Sequence, residues 1–257
     1  MLEIRKLSAG YSGAPVLEDI SLAMPEGTIT VIAGPNGCGK STLLKALTGI
    51  LPVSGTVLLD GTSLLEISHR ELAKKIAFLP QNRQIPEIAV KNLVLHGRFP
   101  YLSYPRRYRP EDYTAADRAL AQMDALEIAD RSVVQLSGGQ RQKVYLAMAL
   151  AQDTNTILMD EPTTYLDIRH QMEVMHLARK LAERGKAVVL VLHDLCLAME
   201  TADELVVLSE GTVQQTGTPE EIYASGVLER VMGVVLRRIE ADGRRRYVCE
   251  LPLLKGE

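Results

Sequence analysis

Residues Gly34 to Ser41 read GPNGCGKS, and their flanks constrain this chain more than any other feature of its 257 residues. Just before them, Thr28 to Ala33 (TITVIA) is a short, β-branched, nearly continuous apolar run. That pattern suits a strand buried on both faces of a parallel sheet. Just after them, Ser41 to Leu47 carries helix formers. Strand, glycine-rich turn and helix in that order match GxxxxGK[ST], a loop that wraps phosphate groups. Gly34, Gly37 and Gly39 let the backbone curl closely enough to aim N–H groups at phosphate oxygens, and the helix N-terminus adds positive partial charge. Lys40 can bridge the β- and γ-phosphates, and Ser41 can ligate Mg²⁺. Cys38 fills a variable slot as a small residue.

A second element with the same polarity supplies carboxylates. Ile157 to Glu161 reads ILMDE, an apolar strand ending in acid. Ligands of open α/β sheets bind at the carboxyl edge of the strands, which is where Asp160 falls. Asp160 is expected to hold Mg²⁺, directly or through its water, and Glu161 to reach a water attacking the γ-phosphate. A third motif, LSGGQ at Leu136 to Gln140, opens a helix with Ser137 as its N-cap. Gly138 and Gly139 in the first turn cost about 1 kcal/mol each in helix stability. Plain capping does not need that cost, so a ligand is expected to approach the backbone there. One chain with one nucleotide loop and a second phosphate-ready helix end points to a dimer.

Further apolar runs recur at Ile76 to Leu79, Thr156 to Met159, Ala187 to Leu192 and Glu204 to Leu208. Helical patterns at Gly138 to Ala151 and Ile168 to Glu183 separate them. Strands alternating with helices predict a mostly parallel α/β sheet. Leu2 to Leu7 and Val16 to Ala23 alternate like half-buried strands. The stretch from Ala89 to Ala151 shows helical patterns and no strand run, so it reads as an all-helical insertion. The tail from Val234 to Cys249 reads as a hairpin turning at Asp242 and Gly243.

Composition excludes several classes. With 46% apolar and 24% charged residues, disorder and fibrous architectures do not fit. A net charge of -3 argues against binding nucleic acid through bulk charge. Arg106, Arg107 and Arg109, and Arg244 to Arg246, read as solvated charge. No apolar run approaches the roughly 18 residues that span a bilayer, and no secretory leader is visible at the start. Cys38, Cys196 and Cys249 form no CxxC pair, so neither a zinc ribbon nor a disulfide framework is expected, and the chain reads as one of a reducing compartment.

Together these motifs strongly resemble the ATP-binding cassette, the motor subunit of ABC transporters, in the family's own order and over nearly the whole chain. The resemblance implies an α/β P-loop NTPase core, with a mostly parallel sheet and an antiparallel β subdomain, carrying an inserted all-helical subdomain. Residues 1–85 and 152–257 would form the core lobe and 86–151 the helical lobe of a single domain. It also implies roles. Gly34, Pro35, Asn36, Gly37, Cys38, Gly39, Lys40, Ser41 and Thr42 would bind ATP, with Tyr11 at the position of the adenine-stacking aromatic or simply a packing tyrosine. Gln81, in FLPQN, would contact Mg²⁺ with Ser41 and Asp160 and face the membrane partner. His193, in VLVLHD, would contact the γ-phosphate as the switch histidine. Ser137, Gly138, Gly139 and Gln140 would serve the nucleotide of a second copy. Asp167, ending the loop from Thr164, would cross the dimer interface. His69, His96, His170 and His176 read as ordinary surface or packing residues.

LVLHGRFPYL (Leu93 to Leu102) and EPTTYLDIRHQMEV (Glu161 to Val174) look like the ATPases of importers for iron-siderophore, haem and cobalamin. Tyr101 and Lys143 depart from the residues common there. This implies a cassette homodimer, two permease subunits, an extracytoplasmic binding protein, and a peripheral position on the cytoplasmic face of the membrane. The surface from Gln81 to Tyr101 would hold the permease coupling helix. An importer of free metal, an exporter and a DNA-repair or chromosome-organising ATPase are the rivals. Against the last, the span between Lys40 and Ser137 holds neither sustained heptads nor Cys clusters.

Overall fold

The computed structural model describes residues 1–11, 14–81, 83–164, 166–241 and 243–252. In chain order the elements are β1 (Leu2–Tyr11), β2 (Ala14–Met24), β3 (Ile29–Ala33), α1 (Lys40–Leu47), β4 (Val53–Leu59), β5 (Thr62–Ser63), α2 (His69–Leu72) and β6 (Ile76–Leu79). Next come α3 (Val90–Leu95), α4 (Pro110–Gln122), α5 (Gly138–Ala151), β7 (Thr156–Asp160), α6 (Ile168–Glu183), β8 (Ala187–Val191) and α7 (Leu195–Thr201). The chain closes with β9 (Glu204–Ser209), β10 (Thr212–Gly217), α8 (Pro219–Ser225), α9 (Val227–Met232), β11 (Val235–Ala241) and β12 (Arg244–Glu250).

A six-stranded sheet in the order β10-β9-β3-β8-β7-β6 forms the centre. It is parallel from β9 to β6, and β10 adds an antiparallel edge. Every residue of β3, β7 and β8 is buried. Alternate residues of these strands serve opposite faces. Val31, Leu190 and Met159 pack under α5, α6 and α7, while Ile32, Val191 and Leu158 pack under α1 and the second sheet. That second sheet is antiparallel, β2-β1-β4-β5, and covers α1 with Leu2, Leu7, Leu17 and Ile20. The α/β reading with an antiparallel companion sheet therefore describes this fold, and the strand limits read from the sequence move by only a residue or so, except that β1 runs on to Tyr11. The tail hairpin turns at Gly243, with Ala241 paired to Arg244; Asp242 lies outside the described residues.

Between β6 and β7 the chain is helical. The only β pairing among its described residues is an isolated bridge from Ala89 to Ser132. The GRFPY segment fastens this region to the core. Arg98 pairs with Asp112 at 3.0 Å, donates to the Ala151 carbonyl at 3.0 Å and lies 3.9 Å from the Tyr101 ring centroid. The Tyr101 hydroxyl donates to the Gln152 carbonyl at 2.9 Å, and the Gln152 amide donates to Ala73 and Ile76 carbonyls of the core. Arg70 donates to Pro100 and Leu102 carbonyls from the other side. Gly97 is buried because its Cα faces the Met148 carbonyl oxygen, where a Cβ would overlap it. Gly97→Ala is expected to lower the unfolding free energy by roughly 1–3 kcal/mol, the usual cost of overpacking. Urea denaturation reads this directly, and an unchanged midpoint would remove the close approach as a constraint.

Candidate functional site

The site sits along the carboxyl edge of the parallel strands. β3 runs into the glycine loop, and two of its glycines are forced. Gly39 caps α1 at φ 108°, with Leu17 occupying the space of a Cβ. At Gly34, a Cβ would collide with the Leu208 carbonyl of the neighbouring β9. Lys40 is buried and folds back, its Nζ donating to the Gly34 and Pro35 carbonyls at 2.7 and 2.8 Å. This holds the ammonium over the loop rather than letting it extend into solvent. Cys38 is tucked beneath, and burial pushes its thiol upward against the pull of Lys40.

Three parallel strands deliver the rest. Two residues past β6 stands Gln81, one past β7 stands Glu161, and two past β8 stands His193. Glu161 adopts φ 51°, a left-handed conformation uncommon for a non-glycine residue, and its N–H donates to the Val191 carbonyl at 3.1 Å. Its carboxylate then accepts from the Gln81 amide at 2.5 Å and from the Thr164 hydroxyl at 3.0 Å on Oε2, while Oε1 contacts His193 Nε2. Asn36, Gly37, Gly39, Lys40, Ser41, Thr42, Gln81, Glu161 and His193, with Val16, line one cleft of about 370 Å³. Asp160 lies beneath it, 2% exposed. Ser41 bonds its carboxylate, yet Oδ1 has no partner. Burial raises the Asp160 carboxyl above the ordinary range, Glu161 adds to the rise, and Ser41, Lys45 and Lys40 oppose it. The arrangement offers an anion-binding backbone loop, a cation over it, a buried carboxylate and a second carboxylate held beside an imidazole.

Other expected residues lie outside that cleft. Tyr11 is half exposed, its hydroxyl accepting from Lys45 at 3.2 Å. Ser137 and Gln140 cap each other reciprocally at the start of α5. A Cβ at Gly138 would meet no atom within 4 Å, and one at Gly139 would meet only Leu166, at 3.8 Å. Asp167 caps α6 through the His170 N–H and also bonds the His170 ring. Lys143 pairs with Glu173 at 3.0 Å. Arg109, Arg245 and Arg246 all have acidic partners, and Arg106 lies over Phe99. Asn82, Tyr165 and the Arg244 side chain lie outside the described residues. Sequence reading missed Val16, for which no motif exists, and the bond from Thr164 to Glu161. Arg83 was also missed; it bonds Pro80 and Gln142 just past Gln81.

Residues 17–164 match the family model described as ABC transporter. The chain belongs to the ABC transporter family. The probable siderophore transport system ATP-binding protein YusV of Bacillus subtilis is 43% identical over 231 residues, 89% of this chain and 84% of that protein. The hemin import ATP-binding protein HmuV of Rhodococcus jostii is 45% identical over 230 residues, 89% of this chain and 78% of that protein. Among solved structures, the ATP-binding cassette MJ0796 bound to ADP and Pi superposes with a TM-score of 0.75 at 30% identity, over 85% of this chain and 99% of that one. This chain is an ATP-binding cassette, an ATPase that drives transport. Among its described residues no helix is long and apolar enough to cross a membrane.

The raised Asp160 carboxyl has a consequence for stability. A carboxyl whose folded-state pKa exceeds its unfolded one makes the native state bind more protons, so stability falls as pH rises through that window. Asp160→Asn removes the charge burial. In buffer without nucleotide or divalent cation it should melt above the parent at pH 7, with the gain shrinking toward pH 3. An equal or lower midpoint at pH 7 would contradict the burial of an under-satisfied carboxylate.

Proposed function

We propose that this chain is the ATP-hydrolysing motor of an importer for an iron chelate, with ferric siderophore as the first cargo, then haem, then cobalamin. The observation that carries hydrolysis is the Glu161 carboxylate, oriented by Gln81, Thr164 and His193 at the rim of the nucleotide cleft. Cargo class rests on the identity to YusV and HmuV over most of the chain. A different importer or an exporter of the family is the remaining alternative.

In this reading the glycine loop from Gly34 to Ser41, with Thr42, cradles the phosphates of ATP and Lys40 exchanges its carbonyl partners for phosphate oxygens. Tyr11 stacks on the adenine. The residues present suit Mg²⁺: an oxygen donor set of Ser41 Oγ, the Gln81 amide oxygen and the Asp160 carboxylate, whose Oδ1 is buried and unpartnered. When bound, that ion neutralises charge developing on the phosphates. Glu161 accepts the proton of the attacking water, with the His193 ring beside it to contact the γ-phosphate. Two copies enclose two nucleotides head to tail, each receiving Ser137, Gly138, Gly139 and Gln140 from the other copy, with Asp167 on the crossing loop. Closure acts on two permease subunits supplied with cargo by an extracytoplasmic binding protein, with this chain peripheral on the cytoplasmic face. Residues 86–151 move as the helical lobe, and the exposed Ile85 and Phe99 suit the permease contact.

Glu161→Gln should cut steady-state ATP hydrolysis by about 100-fold or more, since a positioned general base contributes on that order. Equilibrium titration should leave its ATP Kd within about threefold of the parent, because the residue acts on water. Near-normal turnover would remove Glu161 from this role. Lys40→Ala should instead weaken ATP binding about tenfold or more, as loss of a charge-assisted bond does. For the cargo, cells lacking this chain should fail to accumulate radioactive iron from ferric siderophore. Uptake should return with the parent and not with Glu161→Gln. Unimpaired iron uptake in the deleted cells would overturn the cargo assignment while leaving the ATPase reading intact.

A further inference from the structure

Arg83 lies two residues past Gln81 and packs against helix α5 instead of facing water. Its Nε donates to the Pro80 carbonyl at 2.6 Å, and its Nη1 donates to the Gln142 amide oxygen at 3.0 Å. Its Cζ sits 4.7 Å from the Tyr145 ring centroid. Tyr145 returns a bond, its hydroxyl donating to the Gln84 carbonyl at 2.7 Å. Gln142 and Tyr145 are three residues apart on α5, so they present one face to the segment from Pro80 to Gln84. Gln142 is itself buried, and its amide donates to the Pro162 carbonyl, the residue after Glu161, at 2.5 Å.

This placement is costly. The Arg83 guanidinium is partly withdrawn from water, its flat face set on the Tyr145 ring. Its acceptors are a carbonyl and an amide oxygen, not a carboxylate. A side chain serving only solubility would stay in water. The contacts also need a planar fork: two donors in different directions and a flat cation on a ring, which lysine cannot supply together.

We propose that Arg83 is a positioning residue for ATP hydrolysis. It ties the Gln81 segment to α5, and through Gln142 ties α5 to the turn after Glu161. Three pieces are thereby held in one register: the Gln81 amide on the Glu161 carboxylate, the turn that carries Glu161, and the helix that begins at Ser137 to Gln140. Misplacement of that turn would leave the nucleotide loop on β3 and α1 untouched, so ATP binding and ATP cleavage separate. The inference rests on the roles given above to Gln81 and Glu161.

The test uses the full chain, with kcat expressed per nucleotide bound so that unfolded material does not count. Arg83→Met should lower kcat about tenfold, the scale of a small misplacement of a reacting group, with ATP Kd within about twofold of the parent. Arg83→Lys should recover less than half of that loss on a logarithmic scale. Arg83→Met combined with Gln142→Leu should be no slower than the slower single variant, because both cut one chain of contacts. A purely structural role would lower the melting midpoint and leave kcat per bound nucleotide unchanged. An unchanged kcat, full rescue by lysine or additive losses would each overturn the proposal. If Arg83→Met does not fold, Arg83→Lys decides by the same kcat reading. Glu161→Gln is measured alongside. If it retains turnover, the reading of the site fails; if it is inactive while the Arg83 variants run at the parent rate, only this inference fails.

Discussion

Asp160 pairs with Val191 across β7 and β8, and Val191 faces Ile32 across β8 and β3. On the other side Leu79 of β6 pairs with Met159 of β7. Four parallel strands therefore end within two residues of one another on a single edge. Everything at the cleft follows from that lateral register. The glycine loop leaves β3 one strand over from the turn that carries Glu161, and Gln81 and His193 arrive from the strands on either side of β7. A slip of one residue in a parallel strand turns its side chains to the opposite face. Here it would also carry Asp160 out of reach of Ser41. The register is protected because β3, β7 and β8 are buried on both faces, so each slip would move a full set of Val, Leu and Ile contacts in two separate layers.

Against that rigid background the edge carries unfavourable features. Glu161 holds a left-handed backbone conformation that costs on the order of 1–3 kcal/mol. Two carboxylates occupy adjacent residues, one fully buried with an oxygen left unpartnered. A guanidinium is drawn out of water close by. These are features a chain selected for stability alone would lose, and they fall within a few residues of the strand ends. The Glu161 turn survives because its N–H is held by β8 and its carboxylate by three side chains from separate segments.

Legibility in the sequence tracks how local each signal is. The loop from Gly34 to Ser41 carries its own explanation, since each forced glycine and the lysine lie within one turn. The buried strands β3, β7 and β8 were legible because burial on both faces makes them uniformly apolar. β4 and β10 escaped: Val53–Leu59 opens on small and polar residues with a left-handed Gly55, and Thr212–Gly217 is a half-exposed edge. α8 escaped despite a readable box in which Thr218 and Glu221 cap each other behind Pro219. In the GRFPY segment the resemblance marks a surface but not an anchor: Phe99 is half exposed, whereas Arg98 is largely buried, with bonds to Asp112 and Ala151 that only the folded chain supplies. Arg83 carries no local signal at all, because Gln142 and Tyr145, the partners that set its place, lie some sixty residues away on α5 and only the folded chain brings them to it.

The start of α5 argues for a site that one copy of the chain cannot complete. The first N–H groups of any helix lack intrahelical partners. The mutual capping of Ser137 and Gln140 answers two of them, at the Gln140 and Ser137 N–H groups. Gly138 and Gly139 stand between, with open space where side chains would be, at the positive end of a fourteen-residue helix. None of these four residues lines the cleft that holds Lys40 and Glu161. Two glycines in a first turn give up helix stability at a place outside the cleft that holds the chain's own nucleotide loop. The proposed head-to-tail pair is the arrangement in which that sacrifice has a use. In that proposed pair, Gln142 and Tyr145, further along the same helix, would tie the end offered to the partner's nucleotide to the chain's own Gln81 segment.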